Sequence, residues 1–124
     1  MFVRQDISLA QQIVQSNHAT FEAARNLPPD FPKNEVPFLV LIGVPDKNAL
    51  FRAIKKLEAN SIGYQVFYEP DDNIGLSAVA TAPLSQEQRR CLSNYRVWRE
   101  ENTTKLLKTE VIYESQGLSP FAAS

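Results

Sequence analysis

The spacing of apolar and polar positions along the chain predicts four short strands alternating with three helices. Runs of β-branched and aromatic residues indicate the strands, and apolar positions at helical spacing indicate the helices. The predicted strands cover residues 2–4, 38–42, 64–68 and 76–81. The predicted helices cover residues 9–26, 46–60 and 85–92, and the last of them extends at most to residue 98.

This order of elements predicts an α/β fold, with a three-layer arrangement of a four-stranded mixed sheet flanked by helices. Strands that alternate with helices indicate right-handed crossovers and a mostly parallel sheet. The short link between the last two strands predicts that this pair is antiparallel. Residues 38–42 are apolar at every position, which is typical of a central strand covered on both faces.

The first two helices each carry an apolar stripe that we expect to face the core. The first helix begins after Ser8, which forms a capping-box pattern with Gln11. Its stripe consists of Ala10, Ile13, Val14, Phe21 and Ala24. The stripe of the second helix consists of Leu50, Ala53, Ile54 and Leu57.

The composition is that of one globular domain: 124 residues, 44% hydrophobic, 22% charged and a formal net charge of -1. This charge argues against a strongly basic nucleic-acid binder, so any contact with RNA needs a local basic patch. The single cysteine, Cys91, suits a reducing cytosol, and we expect a cytoplasmic protein without a signal peptide or a membrane span. We predict a domain at residues 1–99 and an extension of unknown role at 100–124, for which a strand at 111–113, docking on a partner and disorder are the open alternatives.

The first helix also carries a polar stripe at the border of its apolar one. At 100° per residue Gln11, Gln15, His18 and Glu22 fall close together. A histidine at this border has partial burial and access to a substrate, as a catalytic group needs. The structural alternative is a histidine that covers the edge of the core.

An acidic loop follows the third predicted strand, and either Glu69 or Asp71 provides a carboxylate there. The loop and the first helix both follow the carboxyl ends of strands, where open α/β sheets bind ligands. We therefore expect the loop and the polar stripe to share one site. Such a site combines a carboxylate that can accept a proton from water with Gln11, Gln15 and Ser77 as candidate hydrogen-bond donors. The plain alternative is a turn built from ordinary turn residues.

Four short segments resemble the type 2 peptidyl-tRNA hydrolases over roughly residues 2 to 98. Arg4-Gln5-Asp6 at the end of the first strand and Gln15-Ser16-Asn17-His18-Ala19 in the following helix are similar to the motifs of that family. Glu69-Pro70-Asp71 followed by Leu76-Ser77-Ala78 is similar to the acidic loop and final strand of its bacterial and phage branch.

The resemblance implies hydrolysis of the ester that joins a peptide to the 3′ end of tRNA, with His18, Glu69, Asp71 and Ser77 as catalytic residues. It also implies a homodimer and no metal or organic cofactor. The sequence departs from the family at Gln11, where a lysine is usual, at Ser77, where that branch has threonine, and in its shorter acidic loop. The alternative is a non-catalytic module of the same fold that binds RNA or a protein partner.

Basic residues on two helices are the candidates for holding tRNA phosphates. Arg52 and Lys56 belong to the second helix, and Arg89 and Arg90 belong to the third. These residues equally suit ordinary solvated helix faces.

Overall fold

The computed structural model of the protein describes residues 1–100, so the predicted strand at 111–113 and nearly all of the predicted extension lie outside the described part. The strands are β1 (Phe2–Arg4), β2 (Ile42–Val44), β3 (Tyr64–Glu69) and β4 (Gly75–Thr81). The helices are α1 (Leu9–Arg25), α2 (Lys47–Ala59) and α3 (Gln86–Cys91), with a 3-10 turn at Asp71–Asn73. No helix within residues 1–100 is long and apolar enough to cross a lipid bilayer.

The four strands form one mixed sheet in the order β2-β1-β4-β3, which confirms the predicted α/β class. The expectation of a mostly parallel sheet is wrong, because only β1 and β2 pair in parallel. β4 inserts between β1 and β3 and runs antiparallel to both. β1, β2 and β3 therefore share one direction, although β3 does not touch the other two.

The sheet separates two apolar clusters, and each is covered by helices. Successive strand residues point to opposite faces, so Phe2 enters one cluster and Val3 the other. Phe2 packs with Leu50 and Leu57 of α2, and Leu92 after α3 joins this cluster. Val3 packs with Ala19 of α1. The three-layer arrangement follows, with α1 on one face and α2 and α3 on the other.

The prediction of a central strand at 38–42 is wrong both in its residue bounds and in its central location in the sheet. The strand begins only at Ile42 and lies at the edge of the sheet. Phe2 of β1 pairs with Ile42, so residues 38–41 run past the end of the ladder. Phe38 is 97% exposed, and the apolar run is thus a surface feature of the described chain.

The chain that follows α3 crosses the edge of the sheet from one face to the other. α3 ends at Cys91, well before residue 98, and Tyr95 then packs edge-on against Phe2 at 5.1 Å between ring centroids. Val97 forms an antiparallel bridge with Ile42 of β2, and the Trp98 amide donates to the Leu41 carbonyl at 2.7 Å. Trp98 then joins the cluster beneath α1.

The buried stripe of α2 is the predicted one, whereas that of α1 is not. α2 buries Leu50, Ala53, Ile54 and Leu57. α1 buries Gln12, Gln15, Ser16 and Ala19 instead, and its apolar residues are largely exposed: Leu9, Ile13, Val14 and Phe21. The predicted apolar stripe of α1, including Ala10 and Ala24, therefore faces away from the sheet.

The polar face of α1 is buried because its side chains find partners. The Gln12 amide donates to the Ile7 carbonyl at 2.9 Å and accepts from the Trp98 indole N–H at 2.8 Å. The Ser16 hydroxyl donates to the Ile13 carbonyl, one turn back. Small side chains such as Ser16 and Ala19 also let the helix lie close to Ala78 and Ala80.

A β-bulge at Ser77 changes the side-chain alternation of β4. Phe67 pairs with Ala78 and Tyr68 with Leu76, which leaves Ser77 without an opposite residue. Leu76 therefore packs on the α2 side of the sheet, while Ala78 packs on the α1 side. The Ser77 hydroxyl donates to the Phe67 carbonyl at 3.1 Å. This carbonyl therefore has a hydrogen-bond partner at the point where the pairing of β3 with β4 is irregular.

Candidate functional site

The candidate site lies where α1 passes the carboxyl end of β3. β1 and β3 are both antiparallel to β4, so their carboxyl ends lie at the same end of the strands of the sheet. α1 follows β1, and Glu69 is the last residue of β3. The predicted meeting of the first helix with the acidic loop is thus present in the fold.

Direct contacts join the polar stripe of α1 to this strand end. The Gln15 amide nitrogen donates to Glu69 Oε2 at 2.6 Å. The His18 imidazole stacks on the Phe67 ring at 4.3 Å between centroids and 7° between planes. Residues two apart in a strand share a face, as do residues three apart in a helix, so both contacts form together. Phe67 is a site residue that was not predicted, although its spacing of two from Glu69 in the strand places both on the same face.

Glu69 is held as a half-buried, ionised carboxylate. Its Oε1 atom accepts from the Asp71 backbone N–H at 3.1 Å. This bond, the amide of Gln15 and the nearby His18 lower the pKa of Glu69 below its ordinary value of 4.5, with the Asp71 N–H as the largest cause. Of the two candidate carboxylates, Glu69 makes the contact with α1, whereas Asp71 orients it through the backbone.

Gln15 is nearly fully buried and has one unused acceptor. Its side-chain nitrogen must face Glu69, because an ionised carboxylate only accepts hydrogen bonds. The opposite atom, Gln15 Oε1, is buried and has no hydrogen-bond partner among the described residues. Leaving a buried acceptor unpaired costs roughly 1–3 kcal/mol, so the contact of Gln15 with Glu69 is made at the expense of an unpaired oxygen on the same amide.

Arg4 and Asp6 brace the loop that carries Asp71. Arg4 donates two hydrogen bonds to the Asp6 carboxylate, at 2.6 and 2.8 Å. Its Nη1 atom also donates to the Ile74 carbonyl at 2.7 Å, which ties the loop to β1. The guanidinium lowers the pKa of Asp6 from its ordinary value. Because its donors serve these contacts, Arg4 has a structural role next to the site.

Two other predicted site residues have structural contacts that limit their access to a substrate. Gln11 closes the capping box of α1, where its Oε1 atom accepts from the Ser8 amide at 3.2 Å. Ser77 has no exposed surface, and its hydroxyl contacts the Phe67 carbonyl as described above. Ser77 thus lies behind the site and supports the strand that carries Phe67 and Glu69.

The predicted phosphate-binding residues are not brought to this site. Arg52 and Lys56 belong to α2, and Arg89 and Arg90 belong to α3, so all four lie across the sheet from α1. Lys56 places its amino group 5.2 Å from the centre of the Tyr95 ring. The side chains around Glu69 are instead mainly acidic or neutral.

Neither metal ligands nor relatives add to this description. Within the described chain no group of three or more His, Cys, Asp or Glu side chains is placed to hold a metal ion. No family model matches the chain, and no curated protein matches it.

Proposed function

We propose that the protein hydrolyses the ester bond between a peptide, or another acyl group, and the 3′ end of tRNA. The contact between Gln15 and Glu69 is the observation that carries this proposal. It joins the helical motif to the acidic loop in one site, as an ester hydrolase built on these residues requires. The order of strands and helices supports it as well.

Glu69 is the general base in this proposal. Its carboxylate accepts a proton from water as the water oxygen bonds to the ester carbonyl carbon. The tetrahedral intermediate then collapses, the bond to the ribose 3′ oxygen breaks, and that oxygen takes up a proton. His18, exposed beside Glu69 on the Phe67 ring, orients the acyl group or delivers this proton. Gln15 holds the carboxylate in place.

The lowered pKa of Glu69 sets the expected pH dependence of the reaction. A carboxylate with a lowered pKa stays ionised at neutral pH. The proton-accepting form is lost only below the ordinary glutamate value of 4.5. We therefore expect the hydrolysis rate to fall on acidification only below pH 4.5.

The decisive experiment measures the release of an N-acylated amino acid from its tRNA ester by the purified full chain. We expect release by the wild type, and a loss of at least about 100-fold in Glu69→Gln, as typical of a general base. Asp71→Asn should lower the rate less, because Asp71 acts through its backbone N–H. His18→Ala should also lower it without unfolding the protein.

Glu58→Gln provides the matched control. Glu58 is an exposed carboxylate on α2 that accepts a hydrogen bond from the Tyr64 hydroxyl, far from the site. This variant should hydrolyse the ester at the wild-type rate. Full activity in both Glu69→Gln and His18→Ala, or no hydrolysis by the wild type, would reject the proposal.

A binding module that holds RNA without turnover is the second candidate. The placement of Arg52, Lys56, Arg89 and Arg90 on the face opposite Glu69 favours it, since RNA bound there need not reach the site. Binding by this face should weaken steeply with added salt, and Arg52→Gln with Lys56→Gln should weaken it further. Binding that persists in Glu69→Gln, together with no hydrolysis by the wild type, would establish this alternative over the first.

A further inference from the structure

Phe67 is a half-buried aromatic residue that connects the core beneath α1 with the surface of the candidate site. Its side chain packs against the apolar cluster that contains Val3, Ala19 and Ala78. The same ring carries the His18 imidazole, with 4.3 Å between the ring centroids and 7° between the ring planes. Phe67 is thus anchored in the core, while it supports an exposed histidine of the site.

The sheet fixes the main chain of Phe67 from two directions. Phe67 pairs with Ala78 of β4, next to the bulge, and its carbonyl accepts from the Ser77 hydroxyl at 3.1 Å. Both partners are fully buried. The Phe67 ring therefore starts from a well-supported point of β3, whereas His18 belongs to a different element, the helix α1.

Within the described part of the chain no hydrogen bond orients the His18 imidazole. Glu22 is one turn further along α1, at a spacing that allows side chains to meet. Its carboxylate instead pairs with Arg25 at 3.2 Å. An exposed side chain has several staggered rotamers open to it unless a contact selects one of them. The stack on Phe67 is therefore the contact that selects the orientation of His18.

The stacked geometry leaves the reactive atoms of His18 free of Phe67. The contact uses the face of the imidazole, whereas both nitrogen atoms lie in the edge of that ring. Phe67 and Glu69 are two apart in β3 and share a face of the strand, so the stack holds the imidazole on the side of the carboxylate. In agreement with this placement, the charge of His18 contributes to the lowered pKa of Glu69.

We infer that Phe67 is a positioning residue, whose ring holds the His18 imidazole in one orientation beside Glu69. Aromatic rings attract each other in such stacked arrangements beyond the burial of their area. A leucine at this position would fill similar space against the cluster but would give the imidazole no flat surface. The orientation rests on the contacts described above, and its effect on ester hydrolysis rests on the proposed function.

The first test observes the orientation by proton NMR of the untagged full chain at one fixed pH. His18 is the only histidine in the sequence, so its ring protons are assigned directly. We expect them upfield of those of an exposed histidine, because the ring current of Phe67 shields them. Phe67→Leu should abolish this shift and Phe67→Tyr should retain it. Phe51→Leu, an exposed change on α2, is the matched control and should leave it unchanged.

Two results of the NMR test would overturn the inference. One is the absence of an upfield shift in the wild type, which needs no variant to fold. The other is a shift that persists in folded Phe67→Leu.

The second test measures whether the orientation matters for release of an N-acylated amino acid from its tRNA ester. Phe67→Leu should lower kcat by up to about 100-fold, as misplacement of a reacting group does. Phe67→Tyr should keep most of the rate. In a His18→Ala background, Phe67→Leu should have no further effect, because no imidazole remains to be oriented.

Equal losses from Phe67→Leu in both backgrounds would show that Phe67 does not act through His18, and would overturn the inference. A wild type without hydrolysis would reject the proposed function instead. The NMR test then decides the orientation of His18 by itself.

Discussion

The two long helices illustrate opposite ways to pack on one sheet. α2 buries four apolar residues against Phe2 and Val79, as its hydrophobic pattern predicts. α1 buries amides, a hydroxyl and an alanine, and turns its apolar side away from the sheet. The orientation of α2 is set by burial of apolar surface, whereas that of α1 is set by specific hydrogen bonds.

The largest expected difference between the helices is in the cost of truncating an apolar residue. Leu57→Ala removes a fully buried side chain of α2 and should lower the free energy of unfolding by about 2–5 kcal/mol. Ile13→Ala on α1 should change the free energy of unfolding by less than about 0.5 kcal/mol, because Ile13 is 54% exposed. Urea unfolding measures both. Equal costs would contradict the orientation described for α1.

The next expected effect concerns the buried amide of Gln12. Gln12→Leu keeps the size of the side chain but leaves the Trp98 N–H and the Ile7 carbonyl without their partner. We expect a loss of about 1–3 kcal/mol in the free energy of unfolding. Gln86→Leu, an exposed change at the start of α3, is the control and should have little effect. An increase in stability in Gln12→Leu would show that hydrogen bonds do not orient α1.

A smaller loss is expected at the bulge beneath the site. Ser77→Ala removes the hydroxyl that serves the Phe67 carbonyl and should lower the free energy of unfolding by about 0.5–1.5 kcal/mol. Because Ser77 has no exposed surface, the variant should retain most of its hydrolytic rate. A folded Ser77→Ala protein whose ester hydrolysis falls more than about tenfold would instead assign this hydroxyl a direct part in the reaction.

The smallest effect is a pH dependence at the brace between Arg4 and Asp6. The pKa of Asp6 is lower in the folded chain than its ordinary 3.8, so the unfolded chain binds the proton more tightly. The stabilisation is fully present above pH 3.8 and is lost as the pH falls through the lowered value. The difference in unfolding free energy between wild type and Asp6→Asn should shrink over that range. A difference that is constant down to pH 2 would contradict this assignment.

Local patterns in the sequence predict much of this molecule. Ser8 forms the capping box that Gln11 predicts, and Ser85 forms the same box with Gln88. The apolar stripe of α2 is the predicted one, because nothing on that helix competes with burial. The meeting of Gln15 with Glu69 follows from the rule that ligand-binding loops gather at the carboxyl ends of strands.

Features that depend on distant partners are not predictable in this way. The polar face of α1 is buried partly because Gln12 meets Trp98, 86 positions later in the chain. Residues 38–41 have the composition of a buried strand, but β1 extends no further than Phe2 beside them. The hydrophobic pattern of a segment therefore predicts that the segment prefers an apolar environment. The topology of the fold decides whether other parts of this chain provide that environment.

The crossing of Val97 and Trp98 over β2 has a consequence for how the protein behaves at high concentration. An open strand edge invites the addition of a strand from another molecule, which is a common route to aggregation. Val97 and the Trp98 amide occupy hydrogen-bonding positions of Ile42 and Leu41 along this edge. This short segment therefore covers part of the β2 edge, so that fewer of its backbone groups are open to a strand from another molecule.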